Sequence, residues 1–207
     1  MAPSTPTPTP TPGFPPALAA YAVPKQAWLR AHGKSFDGLA CAALVFAGRG
    51  RGRRVLLVQR AQGDSMPGRW EVPGGAVDER DGSILAGCAR EVWEETGLRV
   101  RRVYAVFVNT TGTKVICSFA FEVEVDGEAE DGDGEDGRDG GDGGYRVTLD
   151  PEEHQDWMWA TEGEASDGRA LDGREIRWSA ALVRRRVLEG FRLRAEEEEE
   201  EDEDGAR

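Results

Sequence analysis

The chain has 207 residues, room for one domain with a proper core plus tails. Its formal net charge of −13 would by itself argue against an anionic ligand, but residues 126–144 and 195–207 each hold nine acids and one arginine, so the remainder carries a net +3 and is compatible with a phosphate-bearing substrate. Three cysteines without close spacing exclude a disulfide framework and a zinc site, and no run of eighteen apolar residues offers a membrane span.

Residues 1–16, MAPSTPTPTPTPGFPP, form a Thr-Pro repeat that favours extended polyproline conformation and cannot build a core. A disordered tail is expected there, with docking to a proline-recognition domain as the sharper alternative. Residues 17–34, with Leu18, Tyr21, Trp28 and Leu29, suit a short helix or an ordered lead-in. Phe36 to Phe46 is mostly apolar and reads as a buried strand. Gly48 to Arg54 carries four arginines in a turn, expected to be solvated, with an electrostatic guide for a polyphosphate as the functional alternative. Val55 to Arg60 is the next strand, and Arg60 leaves it pointing towards Trp70-Glu71-Val72, a short strand entering the turn Pro73-Gly74-Gly75. Trp70 suits the core, with a substrate contact as its second reading; Arg60 is the companion candidate for substrate binding.

The following stretch predicts an amphipathic helix. Ser83 is a suitable N-cap and Gly97 a suitable left-handed C-terminal residue. Leu85, Cys88, Val92 and Thr96 step by three and four along a buried stripe. Glu91, Glu94 and Glu95 stand at i, i+3 and i+4 and point the same way. Like charges at that spacing destabilise an isolated helix, so a compensating cation is expected, and oxygen-rich clusters suit Mg²⁺ or Mn²⁺. Arg90 is placed to hold these carboxylates by bidentate hydrogen bonds.

Val100–Val108 and Lys114–Val125 read as two strands joined by a turn at Asn109 to Gly112, with Val115, Cys117, Phe119, Phe121, Val123 and Val125 on one face. Residues 126–144, rich in glycine and like charge, are expected to be a flexible insertion; their spacing does not match an EF-hand loop. Order resumes at Tyr145. Glu152, Glu153 and His154 lie in a segment, 151–159, that ends in an aromatic strand. A last helix is expected from about Arg174 to Arg194, burying Ile176, Ala180, Val183, Val187 and Phe191 and exposing Arg184, Arg185 and Arg186. The acids of 196–207 are expected to be a solvated, disordered tail.

Arg90-Glu91-Val92-Trp93-Glu94-Glu95-Thr96-Gly97-Leu98 resembles REUxEExGU, the second half of the Nudix box, at every fixed position. Gly74-Gly75 resembles its start. The family sets its first glycine fourteen residues before the arginine, whereas Gly75 lies fifteen before Arg90. The family's first glutamate therefore falls near Asp81, with Glu79 as rival.

The resemblance implies an α/β class with the Nudix fold, an α/β/α sandwich around a mixed β-sheet, spanning 17–195 as one domain. It implies a metal-dependent hydrolase that cleaves the phosphoanhydride of a nucleoside diphosphate linked to another moiety X, with a small nucleotide favoured. Glu91, Glu94, Glu95 and the Gly74 carbonyl are the implied metal ligands. Glu91 or a carboxylate at 152–153 is the implied base. Glu152, Glu153 and His154 are candidates for an extra metal ligand or general base, with surface turn residues as the alternative; Glu152 and Glu153 are also substrate-binding candidates, and His154 alone suits a structural hydrogen-bonder better than a base. X would be read by loops near 60–70, 104–114 and 150–160. The competing class is a catalytically inactive domain that senses nucleotides or binds a protein partner. The cysteine usage and the absence of a secretory signal imply the cytoplasm or the nucleus, with no membrane and no dedicated nucleic-acid module. Periodicity leaves the oligomeric state open.

Overall fold

The computed structural model describes residues 11–33, 36, 38–111, 116–126 and 145–205. The expectations for residues 1–10, for the turn at 112–115 and for the insertion at 127–144 lie outside the described residues.

Seven strands form one mixed sheet: β1 (Gly38–Ala47), β2 (Arg54–Arg60), β3 (Trp70–Glu71), β4 (Gly74–Ala76), β5 (Arg99–Thr111), β6 (Ile116–Asp126) and β7 (His154–Thr161). The main order is β3-β2-β1-β6-β5, with β4 on β1 and β7 on β2. β1 runs parallel to β6, from Gly38↔Ile116 to Val45↔Val123, and every other pairing is antiparallel.

Strand alternation divides the core between the two sheet faces. Leu39, Cys41, Ala43 and Val45 of β1 join Phe119, Phe121 and Val123 of β6 in one cluster, which receives Leu85, Cys88 and Val92 of helix α2 (Ile84–Thr96) and Trp28 of helix α1 (Lys25–Ala31). Leu44, from the other face of β1, joins Val55, Leu57, Met158 and Ala160, covered by Val187 and Phe191 of the terminal helix. The sheet is therefore sandwiched between helices, the expected α/β/α arrangement. All three cysteines are buried and free.

α2 follows its sequence signals closely. Ser83 Oγ accepts from Ala86 N at 3.0 Å, and Gly97 closes the helix at φ 70° with its N–H on the Trp93 carbonyl. A short helix α3 (Glu162–Asp167) opens with a capping box between Thr161 and Glu164.

Three expectations need correction. The terminal helix, α4 (Ala181–Gly205), starts later and ends later than its apolar stripe predicts. Residues 174–179 are extended because their backbone pairs with β3: Trp70 N donates to Arg177 O at 2.8 Å and Ser179 N to Trp70 O at 2.9 Å. Ile176 is thus buried from an extended segment. At the other end the acidic run continues the helix instead of forming a loose tail. Glutamate is a good helix former, Arg192 pairs with Glu189 and Glu196, and Arg194 pairs with Glu197. Glu198 also docks on the β1–β2 turn, accepting from Gly50 N at 3.0 Å and pairing with Arg49 and the buried Arg53. The arginine-rich turn is therefore not wholly solvated.

Arg186 is the second correction. It is buried, and its Nη2 donates to Ser118 O and Oγ of β6. The third lies at the N-terminal end, where the expected tail is ordered before residue 17. Gly13 N donates to Arg101 O, Val103 N donates to Gly13 O, both at 2.8 Å, and Phe14 packs on the first core cluster.

Candidate active site

The site is assembled where β4 meets α2. β4 is held against β1 at both ends, by Ala43 N donating to Pro73 O before it and Val77 N donating to Leu39 O after it. Gly74 must be glycine for its backbone, and Gly75 leaves room for a carboxylate. Gly74 has φ 153°, and a Cβ there would stand 2.5 Å from Ala42 Cα and press on the Cys41 carbonyl. A Cβ on Gly75 would stand 2.6 Å from Glu91 Oε2, so the carboxylate rests directly on this backbone. Gly74 N in turn donates to Glu95 Oε2 at 2.8 Å.

Of the three helix carboxylates, two face this turn and are buried: Glu91 and Glu95, the latter only 3% exposed. Glu94 differs. Its side chain is 53% exposed and pairs with Arg90 at 2.7 Å, outside the cleft lining. The reason is helical geometry: i and i+4 overlie one another, while i+3 is rotated towards solvent.

Burial pushes the Glu95 carboxyl up to about 10, and the neighbouring carboxylates Glu91, Glu153 and Glu71 add to this against the Gly74 N–H. Glu91 is also raised, first by burial and then by Glu94 and Glu153, with Arg90 opposing.

Arg90 ties the constellation together. Its Nε donates to Asp81 Oδ1 at 2.9 Å and its Nη2 to Asp81 Oδ2 at 3.1 Å, a bidentate pair; Nη2 also reaches Ala76 O at 2.9 Å, and Nη1 pairs with Glu91 and Glu94. Asp81 thus grips the arginine across the lengthened loop. Glu79 faces α1 instead, accepting from Gln26 Nε2 at 2.8 Å.

An open cleft of about 530 Å³ lies over the turn. Gly74, Gly75, Ala76, Glu91 and Glu95 form one wall; Arg60, Gly63 and Asp64 with Glu152, Glu153 and His154 form the other. The 152–154 segment reaches the end of α2 through its backbone. Thr148 N donates to Thr96 O at 2.8 Å, Asp150 N to Glu95 O at 3.4 Å, and His154 N back to Asp150 O at 2.8 Å. One ligating atom each of Glu95, Glu153 and His154 lie within 4.8 Å of one another.

Arg60 lines the cleft but its guanidinium is engaged, with Nη1 on Glu71 Oε1 at 2.5 Å, Nε on Ser65 O at 2.5 Å and Nη2 on Asp64. Trp70, the other substrate-binding candidate, is fully buried in the second core cluster and has no access to the cleft. Its indole carries too much apolar area to leave a core that β3 enters.

Sequence reasoning missed Glu71 and Asp64. Both hold Arg60, and Glu71 also faces His154, with Oε1 3.6 Å from Nε2. Burial pushes the Glu71 carboxyl up, but His154, Arg60 and Ser179 outweigh it and hold it below the usual range. Strand alternation was the available signal: if Trp70 points into the core, Glu71 points out of it.

A family model for the NUDIX domain matches residues 38–182. A curated "MutT-like protein" from Streptomyces ambofaciens is 40% identical over 79 residues, 37% of this chain and 47% of that protein, so the match spans about half of the relative's length. Among solved structures, the NUDIX domain of Shewanella oneidensis NrtR, complexed with ADP ribose, superposes with a TM-score of 0.53 at 17% identity, covering 83% of this chain and 99% of that one. The MutT protein from Methanosarcina mazei Go1 gives 0.51 at 22% identity, covering 77% and 97%. At these identities the superpositions speak for the fold. With the family model covering well over half of its length, the chain belongs to the NUDIX domain family.

Proposed function

We propose that the cleft hydrolyses the phosphoanhydride of a nucleoside diphosphate linked to a second moiety, with a small nucleotide as substrate and Mg²⁺ or Mn²⁺ as cofactor. The observation that carries this reading is the convergence at one open cleft of Glu91 and Glu95, which rest on the Gly74-Gly75 backbone, with Glu153 beside Glu95. The lining has five carboxylates against one arginine, and that arginine is already paired. A phosphate chain enters such a cleft only in company with cations, and a carboxyl buried as deeply as Glu95 stays ionised only opposite one. The donor set therefore fits a hard divalent ion.

Glu91, Glu95 and Glu153, with the Gly74 carbonyl, would hold the ion. When bound, it screens the phosphate oxygens and lowers the pKa of a coordinated water. Glu91 or a carboxylate at 152–153 accepts the proton of the attacking water. The water oxygen forms a new bond to phosphorus as the bridging P–O bond breaks, giving a nucleoside monophosphate and phosphorylated X. Arg90 and Asp81 are positioning residues, fixing Glu91 and the β4 backbone relative to each other. Glu94 belongs with them, through Arg90.

The test is phosphate-ester release from a panel of nucleoside diphosphate derivatives, with Mg²⁺, with Mn²⁺ and with chelator, beside the Glu95→Gln variant. Metal-dependent turnover that Glu95→Gln abolishes supports the hydrolase and names X. Silence across the panel, with nucleotides still raising the melting temperature, would replace it with a nucleotide-sensing domain.

A further inference from the structure

We propose that His154 supplies a nitrogen ligand, beside Glu95 and Glu153, to the divalent ion of this cleft, and so biases the site towards a transition ion such as Mn²⁺ over Mg²⁺. The inference rests on the hydrolase reading of the cleft and adds to it the class of metal.

His154 is 3% exposed and lines the cleft, yet its Nδ1 is buried without a hydrogen-bond partner among the described residues. Buried ring nitrogens are ordinarily paired. At Nε2 the neighbour is the Glu71 carboxylate, whose Oε1 stands 3.6 Å away. A ring with a carboxylate beside one nitrogen and no protein partner on the other is the arrangement of a metal-ligating histidine. Glu71 is fixed in turn by Arg60 Nη1 at 2.5 Å. One ring nitrogen of His154 lies within 4.8 Å of a carboxylate oxygen of Glu95 and of one of Glu153.

The chemical consequence concerns selectivity. Mg²⁺ demands oxygen donors and near-ideal octahedral geometry, whereas imidazole suits the later divalent ions. One nitrogen among carboxylates lowers the site's relative preference for Mg²⁺ and retains Mn²⁺.

The experiment is pulsed EPR of the full-length protein loaded with Mn²⁺, together with Mn²⁺ and Mg²⁺ titrations by calorimetry, on the wild type, His154→Gln and Glu71→Gln. The expected result is ¹⁴N modulation of the bound Mn²⁺ in the wild type, converted to the ¹⁵N pattern by labelled histidine and lost in His154→Gln. His154→Gln should weaken Mn²⁺ at least tenfold and Mg²⁺ less than threefold, and Glu71→Gln should weaken Mn²⁺ by about tenfold while keeping the nitrogen signal. Tightly bound Mn²⁺ without nitrogen modulation overturns the proposal and leaves the hydrolase reading intact. No bound ion of either kind overturns both. The wild-type spectrum decides even if His154→Gln fails to fold.

Discussion

Replacing Glu95 with glutamine should stabilise the metal-free protein while removing its response to metal. The carboxyl is almost fully buried, accepts one backbone N–H and faces Glu91, Glu153 and Glu71. Its folded value, about 10, lies above the usual 4.5. A raised carboxyl contributes stability that is fully present below the unfolded value and lost as pH rises towards the folded one. At pH 7 the unfolded chain releases this proton and the metal-free native state retains it, so the native state is penalised over about 2.5 pH units, at most about 3.4 kcal/mol. Glutamine has the same shape and still accepts the Gly74 N–H, but carries no charge. In chelator at pH 7, urea denaturation should therefore place Glu95→Gln about 1–3 kcal/mol above the wild type, with a flatter dependence on pH between 5 and 9. Saturating Mn²⁺ should reverse the order: ligand at a hundred times its Kd adds about 2.7 kcal/mol to the wild type and much less to the variant. A variant less stable than wild type in chelator, or equal stabilisation of both by Mn²⁺, would refute the assignment of Glu95 as a buried ligand.

The two glycines of the turn should separate stability from function. Gly74→Ala drives a Cβ into the backbone of β1 and should cost several kcal/mol, seen as a lower urea midpoint. Gly75→Ala meets only the Glu91 carboxylate, so it should cost about 1 kcal/mol or less yet weaken Mn²⁺ binding and turnover at least tenfold; equal losses of stability in the two would contradict the geometry. Glu122, buried in β6 beside Arg194, is pushed up to about 7 by burial, with Glu197 adding and Arg194 and Arg53 opposing. In a Glu95→Gln background, stability should then fall from pH 4.5 to 7 by at most about 1.4 kcal/mol per unit, and Glu122→Gln should flatten that slope in urea titrations. Glu198→Gln removes the carboxylate paired with the buried Arg53 and should lower stability by about 2 kcal/mol, less at high salt, checked by thermal melts in about 0.05 and about 1 M NaCl.

Local signals sufficed wherever a residue's role depends on its near neighbours in the chain. The span of α2, its Ser83 cap and Gly97 stop, and its apolar stripe are functions of residues within a few turns, as is the alternation along β6. The Arg90 to Leu98 run likewise named the helix of the site. Tertiary structure decided the rest, because it turns on backbone partners distant in sequence. Glu153 reaches Glu95 only because residues 148–150 donate to the carbonyls that α2 leaves open at its end. α4 begins at Ala181 because Arg177 and Ser179 pair first with Trp70, and the acidic run stays helical to Gly205, anchored where Glu198 finds Gly50 and Arg53 on a turn about 150 residues earlier. Glu94 and Glu95 are adjacent and identical in sequence; one faces solvent and the other a buried cleft because the Gly74-Gly75 backbone packs against a single side of the helix.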